Sequence, residues 1–240
     1  MAKGSLKQYL GIPYAAPPVG ELRWSPPQPL NPWSGVKDAS VNSKICHQPK
    51  QPTEFYDREP DQSTMSEDCL TLNVWTRADT EEANLPVMVW MHGGALVWGS
   101  GSEYKGEELT KRDVILVTVN YRLGPLGFFA HQELSDENNG YSGNQGFRDQ
   151  IAALEWVQAN ISNFGGNPEN VTIFGESAGS WSVNVLQASP LSQGLFHKVI
   201  GQSGARLLPL THLTTAADYS DSALEHGLNL AQIISDKKNT

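Results

Sequence analysis

The most informative part of the sequence is Asn170-Val171-Thr172-Ile173-Phe174-Gly175-Glu176-Ser177-Ala178-Gly179. Its first five residues are rich in β-branched and aromatic side chains and predict a strand, and a helix is predicted to follow over residues 178–186. A serine at a strand-to-helix turn needs small neighbours two positions away on each side, because the tight bend presses backbone against backbone. Gly175 and Gly179 meet that need. The stretch therefore predicts a nucleophile elbow with Ser177 at its apex.

The elbow is also the place where we expect an anion to be stabilised. The Gly-x-Ser-x-Gly pattern is weak on its own, and its weight comes from its position between a predicted strand and a predicted helix. The N-terminus of that helix, at Ala178, adds partial positive charge beside the serine. Glu176 either tunes the local field or is an ordinary solvated carboxylate. The competing interpretation of the whole feature is a plain strand-turn-helix with an incidental serine.

A second glycine-rich stretch, His92-Gly93-Gly94-Ala95, follows the predicted strand Leu85–Met91. Residues with little or no side chain let backbone N–H groups point into a cavity as anion donors, although a flexible glycine turn has the same composition. The candidate oxyanion-hole residues are therefore Gly93, Gly94, Ala95 and Ala178. With Ser177 as the candidate catalytic nucleophile, they indicate acyl-transfer chemistry, in which backbone N–H groups hold the oxygen of a tetrahedral intermediate.

Apolar runs and helical periods alternate along the rest of the chain. We predict strands over residues 70–75, 85–91, 114–120, 170–174 and 198–201, and helices over residues 147–164, 178–186 and 215–234. Thr214 or Thr215 is expected to cap the last helix. Alternation of strands and helices predicts an α/β fold with a mostly parallel sheet and crossover helices, in one domain over residues 1–240. The proline-dense residues 10–60 predict irregular surface wrapping.

Composition and charge exclude several classes of function. The 240 residues include 17 Lys plus Arg against 26 Asp plus Glu, and the net charge of −9 opposes binding to a polyphosphate backbone. We therefore expect no nucleic-acid partner. The apolar runs are too short to cross a bilayer, and residues 1–20 lack the apolar core of a secretory signal, so no membrane contact is expected. The two cysteines, Cys46 and Cys69, either form a disulfide or are two unrelated buried thiols.

Four stretches resemble the N-terminal half of a type B carboxylesterase, the family that includes the cholinesterases. They are Gly11-Ile12-Pro13-Tyr14-Ala15 with Leu22-Arg23-Trp24, Glu67-Asp68-Cys69-Leu70-Thr71-Leu72-Asn73-Val74-Trp75, Asn120-Tyr121-Arg122 with Gly127-Phe128, and Gly143-Asn144 with Gly175 through Gly179. The resemblance covers nearly the whole chain. It implies an α/β-hydrolase fold, a small-molecule ester substrate, no metal or cofactor, and a Ser-Glu/Asp-His triad.

The resemblance also implies structural supports. Cys46 and Cys69 are similar to the family's first disulfide, which together with the family suggests a secreted full-length form, although the localisation stays open. Two ion pairs carry over: Arg23 with Glu67, and Arg122 with Asp149. The alternative for each pair is a solvated contact worth under about 1 kcal/mol. One departure is Ala95, where the family often has a third glycine, and its N–H is expected to remain a donor unless the backbone there needs a positive φ.

The triad acid and histidine have no matching positions in this chain. In the family both lie far downstream of the serine, whereas this sequence ends at Thr240. Met1–Gly11 stand where the family has opening strands and a signal peptide, so the chain looks truncated at both ends. Five of the six histidines are expected to be ordinary surface or core residues rather than the general base: His47, His92, His197, His212 and His226. Without a base, these residues alone are predicted to be inactive and to expose one edge of the sheet.

Three hypotheses about function follow. The first is a serine carboxylic-ester hydrolase that acts through an acyl-enzyme, seen here as its nucleophile-bearing half. The second is a catalytically silent, cholinesterase-like adhesion or binding protein. The presence of Ser177 argues against it, since the family's adhesion members typically lose that serine. The third is a truncated product that folds poorly or pairs with another chain. The sequence names neither the ester nor the oligomeric state.

Overall fold

A six-stranded sheet forms the centre of the computed structural model, which describes residues 4–50, 62–204 and 221–238. The strands are β1 (Lys7–Pro13), β2 (Thr71–Thr76), β3 (Leu85–Met91), β4 (Ile115–Val119), β5 (Gly166–Glu176) and β6 (Lys198–Gln202), and they lie in the order β1-β2-β4-β3-β5-β6. Strands β4, β3, β5 and β6 are parallel, whereas β1 and β2 pair antiparallel. The predicted α/β fold with a mostly parallel sheet is confirmed.

Five α-helices occur in the described ranges: α1 (Gly124–Phe128), α2 (Gln132–Glu137), α3 (Gln145–Asn160), α4 (Ala178–Ala188) and α5 (Ala223–Lys238). The helix predicted over residues 147–164 is α3, and its last four predicted residues form a 3₁₀ turn, Ile161–Phe164. Gly165 ends this turn with a φ of 81°, which glycine adopts without steric cost. None of the helices that the structure describes has the length and apolarity needed to span a membrane.

The tail helix α5 begins, within the described residues, at Ala223 instead of residue 215. Thr214 and Thr215, the predicted caps, lie outside the described residues. The cap is Ser222, whose backbone N and Oγ each lie 2.7 Å from Glu225 Oε2, while the N–H of Glu225 donates to Ser222 Oγ at 3.3 Å. This reciprocal pair is a capping box, and it satisfies donors of the first helical turn that have no partner inside the helix.

The prediction of irregular structure over residues 10–60 is wrong at its start. Lys7–Pro13 form β1 at the edge of the sheet, paired with β2. The register shifts between Tyr9 and Ile12, where Gly11 takes a φ of 68° and its N–H donates to Asn73 Oδ1 at 2.8 Å. Pro13 is tolerated because it ends an edge strand, where a missing N–H costs little. Pairing with a distant strand thus overrides a local proline signal.

The core lies on both faces of the parallel strands. Strand β4 is buried along its whole length, as expected where helices cover both faces of a parallel sheet. Six apolar residues at helical spacing predicted the face of this helix, and five of them are buried in the core: Phe147, Ile151, Leu154, Val157 and Ile161. The sixth, Phe164, is partly buried against the same core. This packing fixes the carboxyl ends of β3 and β5, which carry the two glycine-containing turns.

Both ion pairs implied by the resemblance form, but they lie in different environments. Arg122 and Asp149 are buried, with Nη2 to Oδ1 at 2.6 Å and Nε to Oδ2 at 2.8 Å. The remaining guanidinium nitrogen of Arg122 donates to the carbonyls of Arg23 and Ser25 at 3.0 and 2.9 Å. The Arg23–Glu67 pair is partly exposed, with 40% of the Arg23 side chain accessible. The interpretation as a solvated contact therefore suits Arg23–Glu67 and is wrong for Arg122–Asp149.

A disulfide joins Cys46 to Cys69, as the resemblance implied. Both cysteines are buried in the main core cluster. The bond fixes the irregular segment before β2 to the start of β2, close to the Arg23–Glu67 pair.

The buried ion pair predicts a large stability effect. Asp149→Asn leaves the Arg122 guanidinium buried without its counter-charge, so we expect the free energy of unfolding to fall by about 3–5 kcal/mol. Glu67→Gln is the matched control on the exposed pair, and it should cost about 1 kcal/mol or less. Denaturant unfolding of both variants measures the difference. Equal costs for the two substitutions would contradict this account.

Candidate active site

Ser177 occupies a strained turn between β5 and α4. Strand β5 ends at Glu176 and α4 begins at Ala178, which leaves one residue to reverse the chain direction. Ser177 has φ of 54° and ψ of −120°, a conformation that residues with a Cβ rarely adopt. Such backbone strain costs of order 1–3 kcal/mol and persists only where the surrounding structure imposes it.

Gly175 and Gly179 make this turn possible. A Cβ on Gly175 would lie 2.4 Å from the carbonyl carbon and oxygen of Gly179, and a Cβ on Gly179 would lie 2.0 Å from the carbonyl oxygen of Met91. Both distances are far below van der Waals contact, so helix α4 reaches this depth against β3 and β5 because neither residue has a side chain. The N–H of Ser177 donates to the carbonyl of Gln202 at 2.9 Å and ties the turn to β6.

The glycine-rich loop, residues 92–99, lies against this turn. A Cβ on Gly93 would be 3.3 Å from Ser177 Cβ, 2.9 Å from the carbonyl oxygen of Glu176 and 3.2 Å from Glu176 Oε2. The structure therefore brings together the two turns that the sequence singled out separately. The Glu176 residue itself is exposed, and its carboxylate lies on the Gly93 side of the turn.

Three backbone donors at the start of the glycine-rich loop have no hydrogen-bond partner among the residues that the structure describes. Among residues 4–50, 62–204 and 221–238, nothing accepts a hydrogen bond from the backbone N–H of Gly93, Gly94 or Ala95. Gly93 and Gly94 are buried, whereas Ala95 is exposed. Buried N–H groups are almost always paired in folded proteins, so unpaired ones beside a serine indicate a site for an oxygen ligand.

The backbone at Ala95 differs from the sequence expectation. We expected its N–H to remain a donor unless the residue needed a positive φ, and φ is 57° at Ala95 and 63° at Leu96. Gly94 precedes them with φ of 100°. At this φ the Cβ of Ala95 causes a steric penalty. The glycine that is common at this position in the family would avoid that penalty, because it has no Cβ. The unpaired N–H of Ala95 persists, at the cost of local strain.

Hydrogen bonds hold the glycine-rich loop from the side of β4. Tyr121 Oη donates to the carbonyl of His92 at 2.6 Å, and the N–H of Gly124 donates to the carbonyl of Leu96 at 2.8 Å. The Tyr121 and His92 rings stack with centroids 4.3 Å apart. Tyr121 belongs to the Asn120-Tyr121-Arg122 stretch, which is one of the four that resemble the family. Nothing in the sequence indicated that its side chain contacts the glycine-rich loop.

His92 is a neutral support of the loop. Its Nδ1 lies 2.8 Å from the carbonyl oxygen of Gly93, and the ring is buried. Burial lowers the pKa of His92 to about 4, because the surroundings disfavour the charged ring. The imidazole is therefore uncharged at neutral pH, and its contacts are with Gly93 and Tyr121.

In the described part of the chain, no side chain is hydrogen-bonded to Ser177 Oγ. His197 Nδ1 accepts from the N–H of Val171 at 3.2 Å, and its Nε2 lies 3.8 Å from Glu169 at the far end of β5. His226 lies on α5, and His212 falls outside the described residues. None of the described histidines, which also include His47 and His131, is hydrogen-bonded to Ser177.

A cavity of about 470 Å³ adjoins the loop and α4. Ala95 and Trp181 line one part of it, and Phe128, Phe129 and Phe147 line another. Helix α5 forms a further wall, because Gly227 packs closely on the carbonyl oxygen of Ala130. Trp181 follows Ser177 by one helical turn, and its N–H donates to the carbonyl of Ser177 at 3.2 Å. The cavity was not predicted, because its walls come from segments distant in sequence.

The sequence model of the carboxylesterase family matches residues 1–232. The chain belongs to the carboxylesterase family. It is 50% identical over 213 residues to pyrethroid hydrolase Ces2e of Rattus norvegicus, a match that covers 86% of this chain and 37% of that protein. It is 49% identical over 215 residues to the cocaine esterase of Homo sapiens, covering 87% of this chain and 38% of that one.

Solved structures agree with this family. A thermophilic PNB esterase is similar with a TM-score of 0.81 and 44% sequence identity, over 98% of this chain and 46% of that chain. The α/β-hydrolase fold implied by the resemblance is therefore confirmed. The chain spans less than half the length of these relatives.

The strain at Ser177 predicts that two small substitutions differ in stability. Ser177→Gly removes the Cβ that makes the positive φ costly, whereas Ser177→Ala keeps it. After allowing for the greater chain entropy of glycine, we expect Ser177→Gly to be the more stable variant by about 1 kcal/mol. Thermal and denaturant unfolding of the pair measure this difference. A Ser177→Ala variant at least as stable as Ser177→Gly would show that the turn is unstrained.

Proposed function

We propose that this chain carries the nucleophile and oxyanion hole of a serine carboxylic-ester hydrolase. The observation that supports the proposal most strongly is the contact between the strained Ser177 turn and a loop with unpaired backbone N–H groups. Membership of the carboxylesterase family, and relatives named as esterases, support the same reaction. Glycine at position 177 would form the same turn with less strain. The presence of a strained serine there favours a chemical role for its hydroxyl.

The proposed mechanism is acyl transfer in two steps. Ser177 Oγ attacks the carbonyl carbon of the ester and loses its proton, and the carbonyl oxygen takes negative charge. The backbone N–H groups of Gly94, Ala95 and Ala178 hold that oxygen, with Gly93 bringing the loop against the serine. The tetrahedral intermediate then collapses, the alcohol leaves as it gains a proton, and the acyl group remains on Oγ until water releases it as a carboxylic acid. Each such donor contributes about 3 kcal/mol to transition-state stabilisation.

The general base and its acid partner are proposed to lie outside the described residues. His92 supports the loop, and His197 bonds to β5, so neither is available to take the Ser177 proton. Loss of the base from a serine triad lowers turnover by about 10⁶-fold. Because the resemblance gives the triad acid and histidine no matching positions in this sequence, we propose that a polypeptide limited to residues 1–240 is inactive and assign the activity to the natural protein that contains these residues.

The proposed substrate is a small, uncharged ester with an apolar group. The cavity of about 470 Å³ is within the size range of small-molecule sites, and aromatic side chains form much of its lining. The rat relative is named a pyrethroid hydrolase and the human relative a cocaine esterase. We propose that Trp181 separates this cavity from the reacting serine and limits the size of the group that enters.

Covalent labelling tests the nucleophile. In the natural protein, a fluorophosphonate probe should modify Ser177, because phosphonylation needs the same activated hydroxyl and the same oxyanion donors as ester hydrolysis. Ser177→Ala should abolish labelling, whereas Ser162→Ala, an exposed control, should retain it. Mass spectrometry locates the adduct. A folded protein that is not labelled at Ser177 would contradict the proposal and support a silent binding protein.

Trp181→Ala should allow the enzyme to hydrolyse esters with larger acyl or alcohol groups. Removing the indole enlarges the cavity beside α4, so kcat/KM for p-nitrophenyl octanoate relative to p-nitrophenyl acetate should rise by about tenfold. Trp33→Ala is the control, because Trp33 is exposed and is not among the residues that line this cavity. Steady-state kinetics on the two esters provide the ratio. An unchanged ratio in Trp181→Ala would contradict the assignment of Trp181 as the limiting wall.

A further inference from the structure

We infer that Gln48 is a positioning residue for the glycine-rich loop, residues 92–99. Through Gly99 and His92, it holds the backbone donors of that loop against Ser177. This inference rests on the proposed function, because it assigns to Gln48 the geometry of the oxyanion hole. Gln48 is hydrogen-bonded to Gly99 and Cys46, and it is not among the residues that line the cavity.

The side-chain amide of Gln48 makes two hydrogen bonds to the backbone of Gly99, one to its carbonyl and one from its N–H. Gln48 Nε2 donates to the carbonyl oxygen of Gly99 at 3.0 Å, and the N–H of Gly99 donates to Gln48 Oε1 at 2.9 Å. Both residues are buried, so water does not readily replace either bond. The arrangement requires one donor and one acceptor on the same planar group, which among side chains of this length glutamine supplies.

Gly99 transmits this restraint to the loop. A Cβ on Gly99 would lie 2.6 Å from His92 Nδ1 and 3.0 Å from the carbonyl oxygen of Gly93, so its backbone is packed directly on both. Gly93 in turn packs on Ser177, because a Cβ added to Gly93 would lie 3.3 Å from Ser177 Cβ. A shift of Gly99 therefore displaces the His92–Gly93 peptide, and with it the N–H groups of Gly94 and Ala95.

Gln48 has a rigid anchor of its own. Its Nε2 also lies 3.2 Å from the carbonyl oxygen of Cys46, two residues earlier, and Cys46 is bonded to Cys69 at the start of β2. The restraint thus runs from the central sheet through the disulfide to Gln48 and on to the loop. Tyr121, which follows β4, donates to the carbonyl of His92, so the loop is held at two separate points, His92 and Gly99.

The decisive variant is Gln48→Glu in the natural protein, with Gln158→Glu as the matched control. Gln158 Nε2 also donates to two backbone carbonyls, those of Pro168 and Leu195 at 2.9 and 3.0 Å, but far from the loop. An ionised carboxyl at position 48 accepts from Gly99 but cannot donate to it. At pH 8 we expect Gln48→Glu to lower kcat and the Ser177 labelling rate about tenfold, with KM changed less than twofold.

The pH profile separates positioning from general destabilisation. A protonated carboxyl restores the lost donor, and burial raises the pKa of a carboxyl. The ratio of the Gln48→Glu rate to the wild-type rate should therefore rise as pH falls from 8 to 6, while the ratio for Gln158→Glu stays flat. Gln48→Met, which has similar length and no such hydrogen bonds, should be slow at every pH. Rates of both position-48 variants within twofold of the Gln158→Glu control would overturn the inference.

Hydrogen exchange distinguishes failure of this inference from failure of the proposed function. The N–H groups of Val97 and Trp98 donate to the carbonyl of Gly94 at 2.9 and 2.8 Å and report the order of the loop. If wild-type protein is not labelled at Ser177, the proposed chemistry is wrong. Faster exchange of these two amides in Gln48→Glu than in Gln158→Glu would then still support the restraint, whereas equal exchange would overturn it.

Discussion

The close approach of α4 to the carbonyl end of β3 is the constraint on which the site depends. Gly179 lies so near the carbonyl of Met91 that no side chain fits between them, and Gly175 likewise leaves no room for a side chain against Gly179. Because the helix starts this deep in the sheet, one residue must reverse the chain, and Ser177 takes a strained conformation to do so. The side chain at the apex is thereby held away from the helix axis.

The same approach explains why two turns meet at one point. Strands β3 and β5 are neighbours and parallel, so their carboxyl ends lie at the same edge of the sheet. The glycine-rich loop leaves β3 and the serine turn leaves β5, which brings Gly93 onto Ser177. Tyr121 bonds to His92 and Gln48 bonds to Gly99, so the loop is held near both of its ends.

Local chemistry made some of this predictable from sequence. The glycines around Ser177 and the β-branched run before it specify the elbow, and the period of apolar residues specifies α3. Other features depend on distant pairing. Strand β1 forms despite Pro13 because it pairs with the edge of β2. The hydrogen bonds between Gln48 and Gly99 join residues that are distant in sequence and become neighbours only in the folded chain. The positive φ at Ala95 is likewise set by the loop as a whole, since alanine carries no local signal for it.

The crystal structure of the natural protein after phosphonylation of Ser177 tests the central claim most directly. The account predicts that the phosphonyl oxygen lies within about 3.2 Å of the backbone nitrogens of Gly94, Ala95 and Ala178, with the loop in its present conformation. A phosphonyl oxygen that points to solvent, or a loop whose N–H groups turn away from it, would contradict the claim that these two turns form one oxyanion site.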